Sequence, residues 1–289
     1  MRKKAVLSLI FTIFAFVMLI IPNERIAVSI SDSLAFCGKT VIPQLFLYVC
    51  LSSVLWELKI VDKIVSAFPR YGAEISAFTV GLLSGFPAGA LIAGNLQSEK
   101  IITDKRAQYL MLFSNNAGIS FIFGFVASSV GKKGAFSLFL CQILSSLFFA
   151  FFFRKFLSGE DKKTFVSGPK SLDSSFLING IRNATVNMIN ICGYIVFFSV
   201  FSAVFLSDAP VFIKGMVELT SGINSLFPLD FEKRLFYSGL FLGFGGICVH
   251  FQIFSLCNVK MRKFFVSKLA QGLFSAFAVV PVHNLLSKF

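Results

Sequence analysis

Residues 80–95, V-G-L-L-S-G-F-P-A-G-A-L-I-A-G-N, constrain the fold most, because they are apolar enough to enter a bilayer but cannot form one continuous helix. Proline removes a backbone donor and glycine loosens the backbone, so we expect a break at Gly85-Phe86-Pro87. Broken backbone is tolerated at membrane depth only where protein covers it or where it lines a wet cavity. The stretch, about 16 residues, is also shorter than the roughly 20 that a span needs. The sequence therefore predicts a re-entrant hairpin or a broken helix.

The composition is typical of a polytopic helical membrane protein. The chain has 289 residues, 56% of them hydrophobic, and a mean hydropathy of +0.80. Charged residues make up 14%, against roughly 25% in soluble domains. A net charge of +13 would suggest nucleic acid in a soluble protein. Here the basic residues lie in short segments between apolar runs, as the positive-inside rule describes, so we expect an all-α membrane protein and no nucleic-acid partner.

Apolar runs long enough to cross a bilayer alternate with two shorter, glycine-interrupted segments. The predicted spans are 5–21, 41–58, 107–130, 135–153, 184–206, 235–257 and 264–286, and the broken elements are 75–96 and 211–226. If the N-terminus is inside and both broken elements return to the side they entered, most Lys and Arg residues, Lys268 among them, lie in the cytoplasm. This predicts a multi-pass protein of the cytoplasmic membrane. The first span is a retained signal anchor, followed by an external segment that ends at residue 40.

The order of these features repeats on either side of a polar cytoplasmic linker, 158–178. Each half reads span, broken element, charged connector, polar span, short turn, span. Because each unit has three full crossings, the second is expected to be inverted relative to the first. Matched broken segments in an inverted repeat indicate the substrate site of a secondary transporter.

The second broken element carries the acidic residue that is hardest to explain by packing. Glu218 lies in the interior of an apolar segment, where a carboxylate costs at least a few kcal/mol and is a functional-site hypothesis by default. Thr220, Ser221 and Asn224 lie beside it and complete the predicted binding site. The alternative is an interfacial amphipathic helix with Glu218 in water.

Polar residues inside the spans form the other half of the predicted site. Asn115, Asn116 and Ser120 lie in the third span, and His250 holds the corresponding place in the sixth. These amides either hydrogen-bond a solute beside the first broken element or pair across helices as packing contacts. His250 is either a site residue or a polar residue satisfied by its neighbours. The first broken element completes the list of candidate substrate-binding residues with Ser84, Gly85 and Pro87.

Enzymatic chemistry finds little support in the sequence. Ser84 and His250 loosely match an intramembrane serine protease, but the G-x-S-G spacing of such enzymes is absent. There is no H-E-x-x-H, P-loop or dinucleotide fingerprint. None of the six cysteines forms a C-x-x-C pair, so we expect them to be small apolar packing residues. No enzyme activity, cofactor or metal site is predicted.

Three motifs carry a family resemblance that covers roughly residues 40–285. They are G-L-L-S-G-F-P-A-G-A (81–90), F-S-N-N-A-G-I-S-F-I-F-G (113–124) and V-E-L-T-S-G-I (217–223). Together they resemble the nucleoside-recognition, or Gate-domain, membrane proteins, and within them the sporulation integral membrane proteins of endospore-forming bacteria. Ile119 stands where a proline would be expected. The positions that match the family's hairpins and polar span are Gly85, Phe86, Pro87, Gly89, Asn115, Asn116, Gly118, Glu218, Thr220, Ser221 and Gly222.

The resemblance implies a Gate fold related to concentrative nucleoside transporters and to the pore of ferrous iron transporters. It divides the chain into a first Gate-like repeat, 41–157, and a second, 179–289. It also implies a bacterial membrane protein that binds or transports a small polar solute, nucleoside-like in the family, and acts in sporulation. The alternative is a non-transporting structural or assembly protein of the forespore membrane. Candidate partners are the lipid bilayer, a small polar solute or cation, and further copies of the chain.

Overall fold

The computed structural model describes residues 16, 24–155, 157, 175–256 and 260–288. The predicted first span, 5–21, lies outside these residues except for Phe16, and so does most of the linker 158–178. Every regular element within the described ranges is a helix. The all-α prediction therefore agrees with the structure.

The helices follow one another with short connections. They are α1 Glu24–Phe36, α2 Ile42–Glu57, α3 Ile60–Ala67, α4 Gly72–Ser84, α5 Ala88–Ser98, α6 Asp104–Ser114, α7 Ala127–Arg154, α8 Phe176–Phe205, α9 Val211–Val217, α10 Leu219–Asn224, α11 Phe231–Phe244, α12 Gly246–Leu256 and α13 Met261–Leu286. A π-helical turn, Cys37–Val41, joins α1 to α2, and a second, Phe121–Val126, leads into α7.

The segment before residue 41 is where the structure departs most from the predicted boundaries. We expected a mixed external segment ending at residue 40, whereas helix runs without interruption over Glu24–Glu57. Pro43, which suggested the start of a span, lies in the first turn of α2. Its missing N–H is tolerated there because the π-helical turn Cys37–Val41 already interrupts the regular bonding pattern.

The helical stretch Phe121–Arg154 turns back on itself at Gly131, whose φ of 69° and ψ of 169° are not helical. The rings of Phe123 and Phe139 lie 5.7 Å apart. In a straight helix, sixteen residues would separate them by about 24 Å. Two antiparallel arms therefore meet at Gly131, beside the turn predicted between the third and fourth spans.

Five stretches of the described chain are long and apolar enough to cross a membrane. They are Glu24–Glu57, Phe121–Arg154, Phe176–Phe205, Phe231–Leu256 and Met261–Leu286. The presence of several such helices agrees with the expected class of protein. The count of seven spans stays a prediction.

Both predicted broken elements are helical hairpins. In the first, α4 and α5 are separated by Gly85-Phe86-Pro87, as predicted, and run antiparallel, since a Cβ on Gly81 would lie 3.2 Å from Gly89 Cα. In the second, α9 and α10 are separated by Glu218. A Cβ on Gly222 would overlap Gly215 Cα, so these arms also run antiparallel.

The two hairpins open toward opposite ends of the helix bundle. At one end Glu74, in the first turn of α4, binds Arg106 of α6 and Arg154 at the end of α7, each at 2.7 Å. At the other end, near the Gly131 turn, Arg234 of α11 donates to the carbonyl oxygen of Ser129 at 2.8 Å. The connector after the second hairpin leads into α11 there. The hairpin tips therefore approach each other from opposite directions.

Candidate functional site

The tips of the two hairpins line one cavity of about 60 Å³. Gly85 and Phe86 come from the first tip, and Glu218, Leu219 and Thr220 come from the second. The remaining lining residues come from the segment after α6, from α2 and its preceding turn, from α8 and from α12: Val41, Leu45, Ala117, Gly118, Phe121, Ile191, Ile195, Cys248, Val249 and Gln252. The structure thus brings together the two elements that the sequence predicted to form a site.

The first side of the cavity depends on a close crossing of backbones. Gly85 has a φ of +82°, and a Cβ on it would lie 2.7 Å from the backbone nitrogen of Gly118. A Cβ on Gly118 would in turn lie 3.0 Å from the nitrogen of Gly85. Glycine is favoured at both positions, at Gly85 by the positive φ and the 2.7 Å approach, and at Gly118 by the tight space alone.

Asn115 joins the end of α6 to the start of α5. Its Oδ1 accepts a hydrogen bond from the backbone nitrogen of Ala90 at 2.8 Å, and its Nδ2 donates to the carbonyl oxygen of Met111 at 3.0 Å. The first N–H groups and last C=O groups of any helix lack partners within that helix. Asn115 therefore caps two half-helices at once, and it lies behind the cavity lining instead of in it.

Asn116 and Gln142 hold the segment that follows α6, residues 115–118, which is not helical. Asn116 donates to the carbonyl of Phe113 at 3.0 Å and accepts from the Ser146 hydroxyl at 2.8 Å. Gln142 accepts from the nitrogen of Ala117 at 3.0 Å and donates to its carbonyl at 2.9 Å. These contacts match the packing interpretation of the asparagine cluster, because its amides are satisfied by protein groups.

A buried lysine completes the end of α6. Lys268 of α13 is 1% exposed, and its ammonium donates to the carbonyl oxygen of Asn115 at 2.7 Å and to Gln271 Oε1 at 2.9 Å. Ser267 and Gln271 both donate to the carbonyl of Leu112. Lys268 was counted among the cytoplasmic positive charges from the sequence, and this was wrong. Lys268 stabilises the C-terminal end of α6, because a cation is favourable at the negative end of a helix dipole.

Glu218 forms the tip of the second hairpin as the N-cap of α10. Its Oε1 accepts from the backbone nitrogen of Thr220 at 2.9 Å. Its Oε2 accepts from the Thr220 hydroxyl at 2.6 Å and from the nitrogen of Ser221 at 2.7 Å. Although it is 2% exposed, the carboxylate is thus stabilised by three donors, and it still borders the cavity. A negative charge at a helix N-terminus is favourable.

A further break, between α11 and α12, lies against both hairpin tips. A Cβ on Gly245 would lie 3.3 Å from the Phe86 ring, and one on Gly246 would lie 3.3 Å from the nitrogen of Leu219. His250 Nε2 is 2.8 Å from the carbonyl oxygen of Phe244 across this break. His250 therefore bridges the break, and it does not line the cavity.

The other predicted site residues have separate places. The Ser84 hydroxyl donates to the carbonyl of Tyr48 at 3.0 Å, away from His250. Pro87 is the N-cap residue of α5, the buried Ser120 hydroxyl has no hydrogen-bond partner among the described residues, and Asn224 is exposed. Ser221 donates its hydroxyl to the carbonyl of Glu218 at 3.1 Å. Of the predicted residues, the structure thus places Gly85, Glu218 and Thr220 on the cavity.

Sequence reasoning missed the residues of neighbouring helices that hydrogen-bond the groups at the helix breaks. Gln142, Ser146 and Gln271 are buried polar residues within apolar runs. That burial pattern, an amide or a lysine inside an apolar helix, is a general signal for a functional or structural polar contact. Within the described part of the chain no cluster of three or more His, Cys, Asp or Glu could hold a metal, and the five cysteines described there are free.

Comparison with known proteins identifies a relative of this chain. The chain is 25% identical to the sporulation integral membrane protein YlbJ of Bacillus subtilis (strain 168), in an alignment that covers 86% of this chain and 75% of YlbJ. The chain is an integral membrane protein. Its apolar helices and this relative agree on that point. No family model and no solved structure matches the chain.

Proposed function

We propose that the chain binds or transports a small polar solute at the cavity between its two hairpin tips. The observation that carries this proposal is the meeting of three helix breaks around one cavity, at Gly85, at Gly118 and at Glu218. In secondary transporters, broken helices supply backbone donors and acceptors to substrate and coupling ion near the bilayer midplane. Irregular backbone at that depth is tolerated where it lines a cavity.

The chemistry of the cavity suits a small solute with a hydroxyl, or a cation. Most of its wall is apolar, while Glu218, Thr220 and Gln252 supply a carboxylate, a hydroxyl and an amide. Glu218 acts either as a cation ligand or as an acceptor for a solute hydroxyl, because a carboxylate has more lone pairs than its three donors use. Binding pockets for drug-sized ligands measure roughly 300–1,000 Å³. At about 60 Å³ the cavity is smaller than this range, and a nucleoside-like solute needs a wider conformation.

We further propose that the chain has a Gate fold built as an inverted repeat. It lies in a bacterial cytoplasmic membrane with its N-terminus inside. This fold is supported by hairpins that open toward opposite ends of the bundle and by the matching order of breaks in the two halves. A role in sporulation is supported by the similarity to YlbJ. In this proposal the protein has no enzymatic activity and no nucleic-acid partner. The division into repeats 41–157 and 179–289 and assembly into a homo-oligomer stay predictions.

Aqueous access to the cavity tests the proposal. Cys248 of α12 lines the cavity, and Thr220→Cys would add a thiol on the second hairpin. We would label each with a small charged thiol reagent, in intact cells and in inverted vesicles, after replacing the other cysteines. Labelling at both positions, slowed by a bound solute, is expected. Ser146→Cys is the control, because that side chain is buried behind the cavity.

The second candidate is a non-transporting structural or assembly protein of the forespore membrane. The hydrogen bonds of Asn115, Asn116 and Glu218 to protein groups favour it, since a packed scaffold needs its helix breaks satisfied by protein and needs no water. It predicts that Cys248 and Thr220→Cys stay unlabelled from both sides in a folded protein. That result would overturn the transport proposal.

A further inference from the structure

A second cavity, larger and more polar, lies away from the hairpin tips. It has a volume of about 340 Å³, is lined by α2, α5 and α8, and opens to the protein surface at Arg182 and Asn183, which are exposed. Its lining residues are Ser52, Ser53, Trp56, Glu57, Leu91, Ile92, Asn95, Arg182, Asn183, Val186 and Asn187. A volume above about 300 Å³ with a few convergent polar groups is typical of a small-molecule site.

This polar cavity is separate from the cavity at the hairpin tips. The same two helices line both, but the nearest lining residues on α2 are Leu45 and Ser52, about 10 Å apart along the helix axis. Val49 of α2 and Met188 of α8 lie between the two cavities in sequence and are both buried in one apolar cluster. The polar cavity therefore has its own walls and its own chemistry.

Several polar groups of this cavity have no protein partner. The Ser53 side chain is 4% exposed, and its hydroxyl makes no hydrogen bond to any described residue. The side-chain amides of Asn95 and Asn187 also lack partners among the residues that the structure describes. A buried polar group without a partner costs about 1–3 kcal/mol, which a bound ligand or ordered water can recover, and this applies to Ser53, whereas Asn95 and Asn187 are half-buried.

Two opposite charges line the cavity without pairing with each other. Arg182 forms no ion pair within the described residues, and Glu57 receives a hydrogen bond from Asn183 at 3.2 Å on Oε1 alone. The charged groups of Arg182 and Glu57 thus lie more than the 4.0 Å of an ion pair apart, and both residues line the same cavity. A molecule that carries both an anionic group and an ammonium can bridge them. Guanidinium favours carboxylate or phosphate, and carboxylate favours ammonium.

We propose that the polar cavity binds a zwitterionic group, with its anion against Arg182 and its ammonium against Glu57. Ser53, Asn95 and Asn187 hydrogen-bond the remainder of the molecule. This chemistry has two sources, a free amino acid and the headgroup of phosphatidylethanolamine. The site does not depend on solute binding at the hairpin tips, because the two cavities share no lining residue.

Trp56 makes the site directly measurable, because it lines the cavity and is the single tryptophan of the chain. We would titrate the purified full-length protein in detergent and follow tryptophan emission. The zwitterionic probes are glycine, L-serine, L-glutamine and dihexanoyl-phosphatidylethanolamine. The single-charge probes are propionate, ethylamine and dihexanoyl-phosphatidylglycerol. We expect a saturable change with at least one zwitterion, and at least tenfold weaker binding of every single-charge probe.

Variants then assign the two charges. Arg182→Gln and Glu57→Gln should each weaken zwitterion binding at least tenfold, while Arg262→Gln and Glu232→Gln, at exposed positions, should leave it unchanged. A response to amino acids alone identifies a free solute, and a response to the lipid alone identifies a headgroup; either supports the proposal. No saturable response to any zwitterion, or equal affinity for single-charge probes, overturns it. The wild-type selectivity decides the question even where a substitution impairs folding.

Discussion

The Lys268 ammonium donates a hydrogen bond to the backbone carbonyl oxygen of Asn115 at 2.7 Å, which places a buried positive charge of α13 at the C-terminal end of α6. Unwound carbonyls and half-helix C-termini are where secondary transporters coordinate a coupling cation. Here a side chain of the protein itself supplies the cation at this break. The contact also joins the two halves of the chain, since it spans 153 residues.

Reversing this charge should prevent stable folding. Lys268→Glu would place an acceptor-only group against the carbonyl of Asn115 and Oε1 of Gln271, so we expect a loss of more than about 3 kcal/mol in the free energy of unfolding. Lys268→Met removes the donors without adding an opposing charge and should be milder. Lys263→Glu, at an exposed position of the same helix, is the control. Thermal unfolding in detergent measures all three, and equal melting temperatures for Lys268→Glu and Lys263→Glu would contradict the expectation.

Removing the charge of Glu74 should destabilise the end of the bundle where α4, α6 and α7 meet. Glu74→Gln leaves the guanidinium of Arg106, which is 0% exposed, without its anion, and breaking such a buried pair costs about 3–5 kcal/mol. Glu99→Gln is the matched control, because its pair with Lys59 at 3.5 Å is partly exposed and is expected to contribute about 1 kcal/mol or less. Thermal unfolding of the purified variants compares them. Similar losses for the two variants would show that burial of the Glu74 pair does not matter.

The cap of the second hairpin should depend on a carboxylate. Glu218→Gln replaces one acceptor oxygen by an NH₂ group that faces donors of Thr220 and Ser221, so we expect a loss of about 1.5–3 kcal/mol. Glu232→Gln, at an exposed position in α11, should change stability by less than about 0.5 kcal/mol. Chemical unfolding in mixed micelles can measure both. An unchanged midpoint for Glu218→Gln would mean that the cap does not stabilise the hairpin.

The crossing of Gly85 and Gly118 should not accept a methyl group. Gly118→Ala would place a Cβ 3.0 Å from the nitrogen of Gly85, and Gly85→Ala adds the strain of a φ of +82°, so both variants should accumulate poorly in the membrane. Gly193→Ala, in α8, meets no atom within 4 Å and should be neutral or stabilising by up to about 1 kcal/mol. Membrane levels and melting temperatures give the comparison. Normal accumulation of Gly85→Ala would show that the hairpin tip can move away.

Local chemistry in the sequence was sufficient for the class of protein and for the positions of the breaks. The hairpin break at Gly85-Phe86-Pro87 and the turn near Gly131 follow from residues that cannot continue a helix, whatever surrounds them. Glu218 was singled out because a carboxylate in an apolar segment is costly wherever the chain folds. The predicted start of the second span at residue 41 was wrong, since the helix begins at Glu24. It continues through the π-helical turn Cys37–Val41 and past Pro43, and the composition carries no signal of this.

Only the tertiary structure decided which groups satisfy the breaks. Asn115 pairs with Ala90 across 25 residues and with Lys268 across 153, and no local pattern indicates which distant helix supplies a donor. The sequence therefore determined that polar groups would be buried and that the backbone would break beside them. The packing of α13 against α6 determined that Lys268 serves a break instead of a cytoplasmic surface. The reason is physical: a helix end without partners fixes the need for a hydrogen bond, whereas only the folded arrangement of helices brings a donor within 3 Å of it.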